Sequence, residues 1–592
     1  MSEKIKITIV THDGKSNGAD AREDFEKIRL TQESAMTLMP ILLQNGLMDG
    51  SFCGGRGDCG RCIVRFLEGA PFPTGLERSR LEPEELRRGC RLACVTRPKK
   101  DCVIEIPETE ESKIRIVTEV NLLSARGDCD SQQNNLSENH KSTAMESTEK
   151  GKNATVRAMK RSSVICNKET GDIESLDSGC DTGKKNRGRY IIAVDLGTTT
   201  IAMQLKNLDT GETEETYCER NPQRRYGTDV LARIQAAVEG NGEGLRRLVC
   251  ETILRGLECF VKCLRGKTDR KGRNDAEDTG KILGMCIAGN TAMELLLLGT
   301  DVSSMGKAPF IPAEKGLQKI ALVRLLAGME NRTKNLRIAD KEPFLDFPVY
   351  IVPCISAFVG GDIVAGLYAL GLFLDVPSAV TLFIDLGTNG EMAITDGRRM
   401  IVTATAAGPA FEGDGTMIGT DRIALIARLL RNGIIDETGL MAEPYFTEGV
   451  RIESREEAVA GKQNENARYF RQKDIRDLQM AKAAVRAGVE ILWEEIGCPE
   501  IEKICLAGGF GYYLDVDAAV DIGLLPAYMR GKVRAVGNTS LAGAYELGCD
   551  LCMNRMDAAR LEEATEFVTS INLAETKRFN ELYLKYMNLG EN

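Results

Sequence analysis

Residues Tyr190–Gly211 read YIIAVDLGTTTIAMQLKNLDTG, and much of the fold can be worked out from this segment. An apolar run ends on Asp195, and Gly197, Thr198 and Thr199 follow before a second alternating run. The pattern predicts a strand, a tight turn and a second strand. A glycine in such a turn lets backbone N–H groups approach phosphate oxygens, and the hydroxyls add donors. Because a carboxylate repels phosphate, we expect Asp195 to hold Mg²⁺, directly or through water.

A second copy of this hairpin begins at Thr381, where the sequence reads TLFIDLGTNG. Asp385, Gly387 and Thr388 repeat the Asp-Leu-Gly-Thr pattern, and Glu391 follows in the next predicted strand. Two such hairpins, separated by the length of a subdomain, predict two homologous halves that grip a nucleotide's phosphates across a cleft. The alternative is two unrelated β-turns, since Asp-x-Gly is common in turns. The matching strands on both sides favour the phosphate interpretation.

A third glycine-rich element follows the predicted strand Lys503–Ala507. Gly508 and Gly509 leave bare backbone on which a flat ligand such as a nucleoside can lie. A tight packing turn would explain the same residues. The presence of two phosphate hairpins favours the nucleoside interpretation.

The cysteines near the N-terminus form a C-x5-C-x2-C loop, CGGRGDCGRC, that begins at Cys53 and contains Cys59 and Cys62. Three thiolates in so short a glycine-rich loop can surround one centre, and the glycines aim N–H groups at inorganic sulfides. A fourth ligand must come from elsewhere, and three thiols are available: Cys90, Cys94 and Cys102. We favour Cys94 and predict a [2Fe–2S] cluster. Zinc and buried unliganded thiols are the alternatives.

Composition excludes several classes of function. The 592 residues predict several domains, and a net charge of −10 with a pI near 5.3 argues against nucleic acid as a partner. The N-terminal sequence MSEKIKITIV is unlike a signal peptide, and the apolar region Ile363–Leu374 is too short to span a bilayer. We therefore expect a cytoplasmic protein without a membrane partner.

Histidine and cysteine usage narrows the chemistry further. The chain has 19 cysteines but only 2 histidines, and neither histidine lies near a motif. This leaves no basis for a Ser-His-Asp triad, a Cys-His pair or a His-ligated zinc. No catalytic base can be assigned, and Glu391 is a candidate by position alone.

Changes in composition predict three regions. Residues 1–107 hold the cysteine loop, and residues 189–592 hold the paired hairpins, with lobe one at 189–379 and lobe two at 380–592. Residues 108–188 are polar and low in complexity, which predicts a flexible linker. Within the first region we expect a helix at Ser34–Asn45, in which Pro40 implies a kink or a late start.

The N-terminal region resembles the [2Fe–2S] ferredoxin domain over about residues 4–107. The cysteine loop, the run Arg91-Leu92-Ala93-Cys94 and the closing strand at Cys102–Ile106 carry the resemblance. The resemblance implies a small β-grasp fold, and the five-residue first spacing is similar to the adrenodoxin-type variant. The segment Asn17–Glu26 departs from the usual pattern as an insertion.

The C-terminal region resembles the actin-like ATPase superfamily, which includes sugar kinases, heat-shock chaperones and actin. The resemblance spans about residues 189–560 and implies a duplicated, RNase H-like, two-lobed α/β domain that binds ATP with Mg²⁺ held mainly through water. The residues implied to bind the nucleotide are those of the three motifs: Asp195, Gly197, Thr198, Thr199, Asp385, Gly387, Thr388, Gly508 and Gly509.

A ferredoxin domain tethered to such an ATPase is similar to the reductive activators of corrinoid proteins. The segments NPQRRYGTDV, AGNTAM, DLGTNGE, AAGPAFEG and LAGGFG carry this resemblance. It implies an α/β and α+β multidomain enzyme that uses ATP to return Co(II) of a corrinoid protein to Co(I). The implied partners are a corrinoid protein of a methyltransferase system and an upstream low-potential reductant, with a homodimer as one expectation for the assembly.

Two alternatives stay open at the level of sequence. A small-metabolite kinase would explain the two lobes but leave the cluster idle. An ATP-dependent electron donor to another low-potential enzyme, such as a radical dehydratase, would use both parts, although such donors hold a [4Fe–4S] cluster between subunits.

Overall fold

The computed structural model describes residues 4–12, 25–34, 36–45, 47–48, 62–81, 83–106, 188–270, 280–329, 333, 336, 346–374, 379–407, 410–411, 419–452 and 468–590. Several predictions fall outside these residues. They concern Cys53 and Cys59, most of the insertion at 17–26, and all but the last residue of the linker at 108–188.

The N-terminal domain is built on a five-stranded sheet with the order β2-β1-β5-β3-β4. The strands are β1 (Lys4–His12), β2 (Phe25–Glu33), β3 (Ile63–Glu68), β4 (Cys90–Leu92) and β5 (Cys102–Glu105). The helices are Met39–Gln44, Gly75–Arg80 and Pro83–Arg87. Alternate residues of the strands face a small core that includes Ile7, Leu42, Val64 and Ile104. The central β1 and β5 are parallel and the other neighbours antiparallel, which agrees with the predicted β-grasp fold.

The first helix of this domain is shorter than predicted. It begins at Met39 rather than at Ser34, so that Pro40 lies in its first turn. A proline is tolerated there because the first N–H groups of a helix have no partner within the helix. The proline therefore marks a late start and not a kink.

Lobe one contains a six-stranded sheet with the order β10-β11-β9-β6-β7-β8. The strands are β6 (Arg189–Leu196), β7 (Thr200–Asn207), β8 (Thr213–Arg220), β9 (Lys281–Gly289), β10 (Gln318–Ala321) and β11 (Pro348–Ile351). The helices are Val230–Ala236, Gly242–Arg270, Thr291–Leu298, Leu322–Leu325 and Gly361–Ala369. Strands β6 and β9 are apolar almost throughout because helices cover both faces of the sheet.

Lobe two contains a six-stranded sheet with the order β18-β17-β12-β13-β14-β19 and a separate two-stranded ribbon. The strands are β12 (Thr381–Leu386), β13 (Gly390–Thr395), β14 (Met400–Thr405), β15 (Val450–Ile452), β16 (Arg468–Phe470), β17 (Lys503–Ala507), β18 (Val533–Gly537) and β19 (Val568–Ile571). The helices are Gly419–Arg431, Tyr445–Glu448, Gln472–Ile496, Gly508–Tyr513, Val516–Asp521, Thr539–Cys552, Ala558–Glu566 and Lys577–Lys585.

The two lobes repeat one topology, as the repeated hairpin predicts. In each lobe an antiparallel meander of three strands is extended by two parallel strands on the side of its first strand: β8-β7-β6-β9-β11 and β14-β13-β12-β17-β18. Helix Thr539–Cys552 follows β18 and packs against β6, β9 and helix Gly361–Ala369 of lobe one. It therefore joins the two halves of the duplicated domain.

Among the helices that the structure describes, none combines the length and the apolar character needed to cross a membrane.

Candidate functional site

The two predicted hairpin loops lie against each other. Strands β6 and β7 pair up to Leu196 and Ile201, which leaves residues 197–199 as the first loop, and β12 and β13 leave residues 387–389 as the second. The hydroxyl oxygens of Thr199 and Thr388 are 3.0 Å apart, across the boundary between the lobes. The buried strands therefore bring together loops that are 189 residues apart in sequence.

Asp195 stands at the end of β6, immediately before the first loop. Its two carboxylate oxygens accept hydrogen bonds from Asn538 Nδ2 and Ser540 Oγ, both at 2.8 Å. Both donors belong to lobe two, at the start of helix Thr539–Cys552. Burial nevertheless raises the pKa of Asp195, because these two bonds offset only part of the cost of removing the charge from water.

Further carboxylates surround Asp195. Burial raises the pKa of Asp385 to about 8, with Asp362 and Asp195 adding repulsion. Burial and the charge of Asp195 raise the pKa of Asp362 to about 7. Burial also raises the pKa of Glu391 and Glu294 well above the ordinary value, with Asp362 as the strongest charged neighbour of each.

This group of carboxylates has the chemistry of a site for a hard cation. Repulsion among them would be relieved by a divalent cation bound nearby, since oxygen ligands are those that Mg²⁺ prefers. Within the described ranges, no three acidic, histidine or cysteine side chains converge closely enough to ligate a metal ion directly. The arrangement therefore fits Mg²⁺ held through water, which retains most of its hydration shell in such sites.

Gly508 lies directly against the second loop. Its φ is +84°, and a Cβ at this position would lie 2.4 Å from Asp385 Oδ1 and 2.5 Å from the carbonyl oxygen of Leu386. Close contact with the second hairpin therefore requires a glycine here. Gly509 follows in helix Gly508–Tyr513, where it is exposed. The structure thus brings the third motif to the second hairpin.

The first loop is supported from behind by buried polar side chains. Asn221 Nδ2 donates to the carbonyl oxygen of Gly197 at 2.8 Å, and a guanidinium nitrogen of Arg233 donates to that of Thr198 at 2.6 Å. The backbone N–H of Asn221 donates to the carbonyl oxygen of Thr199 at 2.8 Å. Three consecutive carbonyl groups of the loop are therefore held on one side.

The two predicted cluster ligands that the structure describes lie together in the N-terminal domain. Cys62 precedes β3, Cys94 follows β4, and their sulfur atoms are 3.2 Å apart in a buried position. The hydrogen bond with Cys94 lowers the pKa of the Cys62 thiol to about 7. Two sulfur ligands of one tetrahedral metal ion are about 3.8 Å apart at a metal–sulfur distance of about 2.3 Å. The pair therefore fits one edge of an iron–sulfur centre.

The other two thiols considered for the fourth ligand differ from Cys94. Burial raises the pKa of Cys102 to about 11, and burial also raises that of Cys90. A thiol with a raised pKa stays protonated and is a poor metal ligand. Cys94, by contrast, lies in contact with the sulfur of Cys62, which favours it as the fourth ligand.

Several site residues were not found from the sequence. Asp362 opens helix Gly361–Ala369 after β11, and the duplicated topology is the signal that could have located it at the same edge of the sheets. Glu294, Asn538, Ser540 and Arg233 carry no such local signal, because each reaches its partner only through tertiary packing. Asn221 begins the quoted segment NPQRRYGTDV, but that segment did not indicate its contact with the loop.

Comparisons with known protein families cover most of the chain. Residues 190–374 match a model described as the RACo middle region, and residues 379–422 and 416–592 match the C-terminal domain of RACo, the ASKHA domain. Residues 23–99 match the 2Fe-2S iron-sulfur cluster binding domain. The three matches agree with the predicted order of a ferredoxin domain and a two-lobed domain.

Individual relatives agree with these domain matches. The corrinoid activation enzyme RamQ of Eubacterium limosum is 29% identical over 462 residues, 69% of this chain and 72% of the relative. The [Co(II) methylated amine-specific corrinoid protein] reductase of Methanosarcina barkeri is 25% identical over 458 residues, 67% of this chain and 76% of the relative.

A solved structure shares the fold. It is titled reductive activator for corrinoid,iron-sulfur protein and superposes with a TM-score of 0.55 at 24% identity, covering 99% of this chain and 98% of that one. This structure shows the fold, and the assignment to a family rests on the domain matches and the named relatives. This chain belongs to the family of reductive activators of corrinoid proteins, enzymes that join a ferredoxin domain to an ASKHA domain.

Proposed function

We propose that this protein uses ATP to pass one electron to the cobalt of a corrinoid protein, so that inactive Co(II) becomes Co(I). The observation that carries the proposal is that one chain combines the paired thiols of Cys62 and Cys94 with two apposed loops at Thr199 and Thr388. The first feature serves electron transfer and the second serves a nucleotide. A chain that needed only one of these activities would not require both.

The proposed nucleotide site lies where the two loops meet. The backbone N–H groups of Thr198, Thr199 and Thr388 and the threonine hydroxyls would bind the phosphates. Gly197 and Gly387 would shape the two loops, since their N–H groups donate to the carbonyl oxygens of Thr200 and Asn389. Gly508 and Gly509 would face the nucleoside. Asp195 and Asp385 would hold Mg²⁺ through water. The positive charge of the ion would offset the negative charges of the phosphates and of the carboxylates. The raised pKa values of Asp362 and Asp385 support this assignment, because burial and mutual repulsion both disfavour the ionised carboxylates and a bound cation would offset both effects.

The proposed electron carrier is a [2Fe–2S] cluster held by Cys53, Cys59, Cys62 and Cys94. Such a cluster supplies one-electron transfer, and its thiolate ligands must be deprotonated. The lowered pKa of Cys62 and its contact with Cys94 support this ligand set. Leu92 and Ala93 are buried beside the pair and exclude water from this side.

Energetics explain why the two sites would be joined. An uphill one-electron transfer costs roughly 2.3 kcal/mol per 100 mV. A nucleotide that binds one arrangement of the lobes better than another can shift the population of that arrangement, and so can alter how a bound partner is held. We therefore propose that the lobes clamp the corrinoid protein and change the coordination of its cobalt, and that hydrolysis releases it.

The direct test is anaerobic reduction of candidate corrinoid proteins by the pre-reduced protein. We expect the Co(II) absorption spectrum to be lost in the presence of Mg-ATP and to persist without nucleotide. Reduction at the same rate without ATP would contradict the proposal. A phosphorylated small-molecule product in a steady-state assay would support the kinase alternative instead.

A matched pair of cysteine variants tests the electron carrier. Cys94→Ser should lower bound iron and abolish cobalt reduction while leaving nucleotide binding intact. Cys90→Ser is the control, because Cys90 lies in the adjacent β4 but has a raised pKa. Equal loss of iron in both variants would show that the ligand set is wrong, and an iron count of four per chain would favour a different cluster.

A further inference from the structure

The loop at residues 197–199 is held by two side chains to which the sequence motifs assigned no role. Asn221 and Arg233 both donate to its carbonyl groups, and both side chains are completely buried. Each contact engages a different peptide unit: Asn221 binds the carbonyl of Gly197 and Arg233 binds the carbonyl of Thr198. The two side chains therefore fix the orientation of two consecutive peptides.

Because each peptide unit is planar, the direction of its carbonyl group also fixes the direction of its N–H group. In a trans peptide the C=O and N–H bonds point in opposite directions. With the carbonyls of Gly197 and Thr198 held toward Asn221 and Arg233, the N–H groups of Thr198 and Thr199 point to the other side of the loop. The hydroxyl of Thr199 lies 3.0 Å from that of Thr388 in the second loop. Consecutive N–H groups directed to one side form an anion-binding concavity.

The supporting side chains are themselves held rigidly. Asn221 Oδ1 accepts from the backbone N–H of Gln223 at 3.0 Å, and Gln223 Nε2 donates to the carbonyl of Leu245 at 3.1 Å. Arg233 Nε donates to the carbonyl of Gly227 at 2.9 Å. These bonds connect the back of the loop to helices Val230–Ala236 and Gly242–Arg270, so that the position of the loop is tied to the body of lobe one.

Arg233 also contributes charge. A guanidinium stays protonated in proteins, so that a permanent positive charge lies behind the peptide that joins Thr198 to Thr199. In a buried setting such a charge acts more strongly than at a solvated surface, because less water screens it. It polarises this peptide in the direction that strengthens N–H donation to an anion on the opposite side.

We propose that Arg233, together with Asn221, is a positioning residue for the phosphate chain of the nucleotide. It fixes and polarises the first loop and so makes the site selective for nucleoside di- and triphosphates over monophosphates. The inference rests on the proposed nucleotide function and adds the residues that set its phosphate selectivity.

The test measures Kd for Mg-ATP, Mg-ADP and AMP by calorimetry on the full-length protein and on Arg233→Met. We expect the variant to bind ADP and ATP about 30-fold more weakly, because a charged hydrogen bond and the loop geometry are lost together. The affinity for AMP should change by less than about threefold. The ratio of the AMP and ADP dissociation constants is the readout, since a purely structural role would change both alike.

Arg246→Met is the matched control. Arg246 lies in the same lobe and also donates to two carbonyl groups, those of Leu297 at 3.2 Å and Leu325 at 2.7 Å, away from the loops. We expect its ratio of AMP to ADP affinity to equal that of the unmodified protein. A folded Arg233→Met protein with an unchanged ratio, or with equal losses for AMP and ADP, would overturn the inference.

Asn221→Ser provides a second route if Arg233→Met does not fold. Serine keeps an oxygen that can cap the turn at Gln223 but removes the amide donor to Gly197. We expect a fall in ADP affinity of about fivefold with AMP affinity retained, and an unchanged ratio would count against the proposal. If the unmodified protein binds no adenine nucleotide, the proposed function fails and this inference falls with it. If the unmodified protein binds nucleotide but neither variant changes the ratio of the AMP and ADP dissociation constants, this inference is wrong and the proposed function still stands.

Discussion

The two Asp-Leu-Gly-Thr hairpins have the same sequence and the same place in their sheets, yet they have different surroundings. In the first, Asp195 accepts hydrogen bonds from Asn538 and Ser540, and buried donors hold the loop carbonyls. In the second, burial raises the pKa of Asp385 to about 8, and its acidic neighbours add to the shift. The difference shows that two copies of one motif can have different roles: the first hairpin is a fixed platform, and the second has a buried carboxyl whose ionised form a bound cation would stabilise.

The two loop glycines differ in the same sense. A Cβ at Gly197 would lie 2.7 Å from the carbonyl oxygen of Thr200, whereas a Cβ at Gly387 would have no atom within 4 Å. The glycine of the first loop is therefore required by the fold. The glycine of the second loop has open space beside it, so the fold itself does not require it.

The largest expected effect comes from neutralising the second carboxylate. Asp385→Asn should lower ATP-dependent cobalt reduction by about a thousandfold, or ~4 kcal/mol, because an amide cannot compensate a magnesium ion. Asp195→Asn should cost less, since the oxygen of an asparagine can still accept one of the two hydrogen bonds. For both variants, the measurements are the rate of ADP formation and the rate of Co(II) loss.

Asp396→Asn is the control for this change. Asp396 lies in the turn after β13 and caps the backbone N–H groups of Arg398 and Arg399. We expect its rate to stay within about twofold of the unmodified protein. Equal losses of reduction rate in the Asp195 and Asp385 variants would contradict the proposed difference between the two hairpins.

The glycine pair gives the next largest effect. Gly197→Ala should destabilise the protein by about 2 kcal/mol, because the new methyl group collides with backbone that must shift. Gly387→Ala should change the free energy of unfolding by less than about 0.5 kcal/mol but weaken ADP binding about tenfold, since its methyl group enters the open side of the loop. Denaturant unfolding and calorimetry separate the two outcomes, and equal destabilisation by both changes would contradict the difference described above.

Much of the fold could be predicted because its signals are local. Strand Lys503–Ala507 has the predicted bounds. Helix Thr291–Leu298 likewise has local signals at both ends, since Asn290 caps it and Gly299 ends it. The paired hairpins were found from a repeated motif that contains strand and turn signals together. By contrast, β8 reads TEETYCER, and so polar a sequence gives little strand signal at the edge of a sheet.

The rest of the site could not be predicted because it depends on tertiary approach. Ser540 meets Asp195 across 345 residues of sequence, and nothing near either residue indicates the contact. Arg233 resembles any charged residue of a surface helix until the packing buries it. The raised pKa values of Asp362 and Asp385 likewise arise only when the fold buries these side chains and brings them near other carboxylates.

A smaller effect is expected in the pH dependence of stability. In the folded protein the pKa of Asp385 is raised to about 8 and that of Asp362 to about 7, from an ordinary value near 3.8. At pH values between the ordinary and the raised pKa, Asp362 and Asp385 are ionised in the unfolded chain but still protonated in the folded protein. Stability from these groups is therefore greatest below about pH 4 and falls as the pH rises toward 8.

The measurement is denaturant unfolding of the nucleotide-free protein at pH 5, 6.5 and 8. The loss between pH 5 and 8 should be on the order of 1–2 kcal/mol greater in the unmodified protein than in Asp385→Asn, a value reduced by water in the cleft. Added Mg-ADP should stabilise the protein more at pH 8 than at pH 5, because ionised carboxylates bind the cation better. Identical pH profiles for the two proteins would show that Asp385 is ionised throughout.

The smallest effect tests the hydrogen bonds that join the first hairpin to lobe two. Ser540→Ala should lower the free energy of unfolding of the nucleotide-free protein by about 1 kcal/mol. Ser303→Ala is the control: it removes a surface hydrogen bond to Asp301 and should cost less than about 0.5 kcal/mol.

The same variant tests whether magnesium-bound water replaces Ser540 at Asp195 when the nucleotide binds. If it does, Ser540→Ala should leave Mg-ADP affinity unchanged or raise it by up to about threefold, because the bond to be broken is already absent. A fall in Mg-ADP affinity would instead mean that Ser540 stays on Asp195 in the bound state, and the first hairpin would then be a platform with the nucleotide as well as without it.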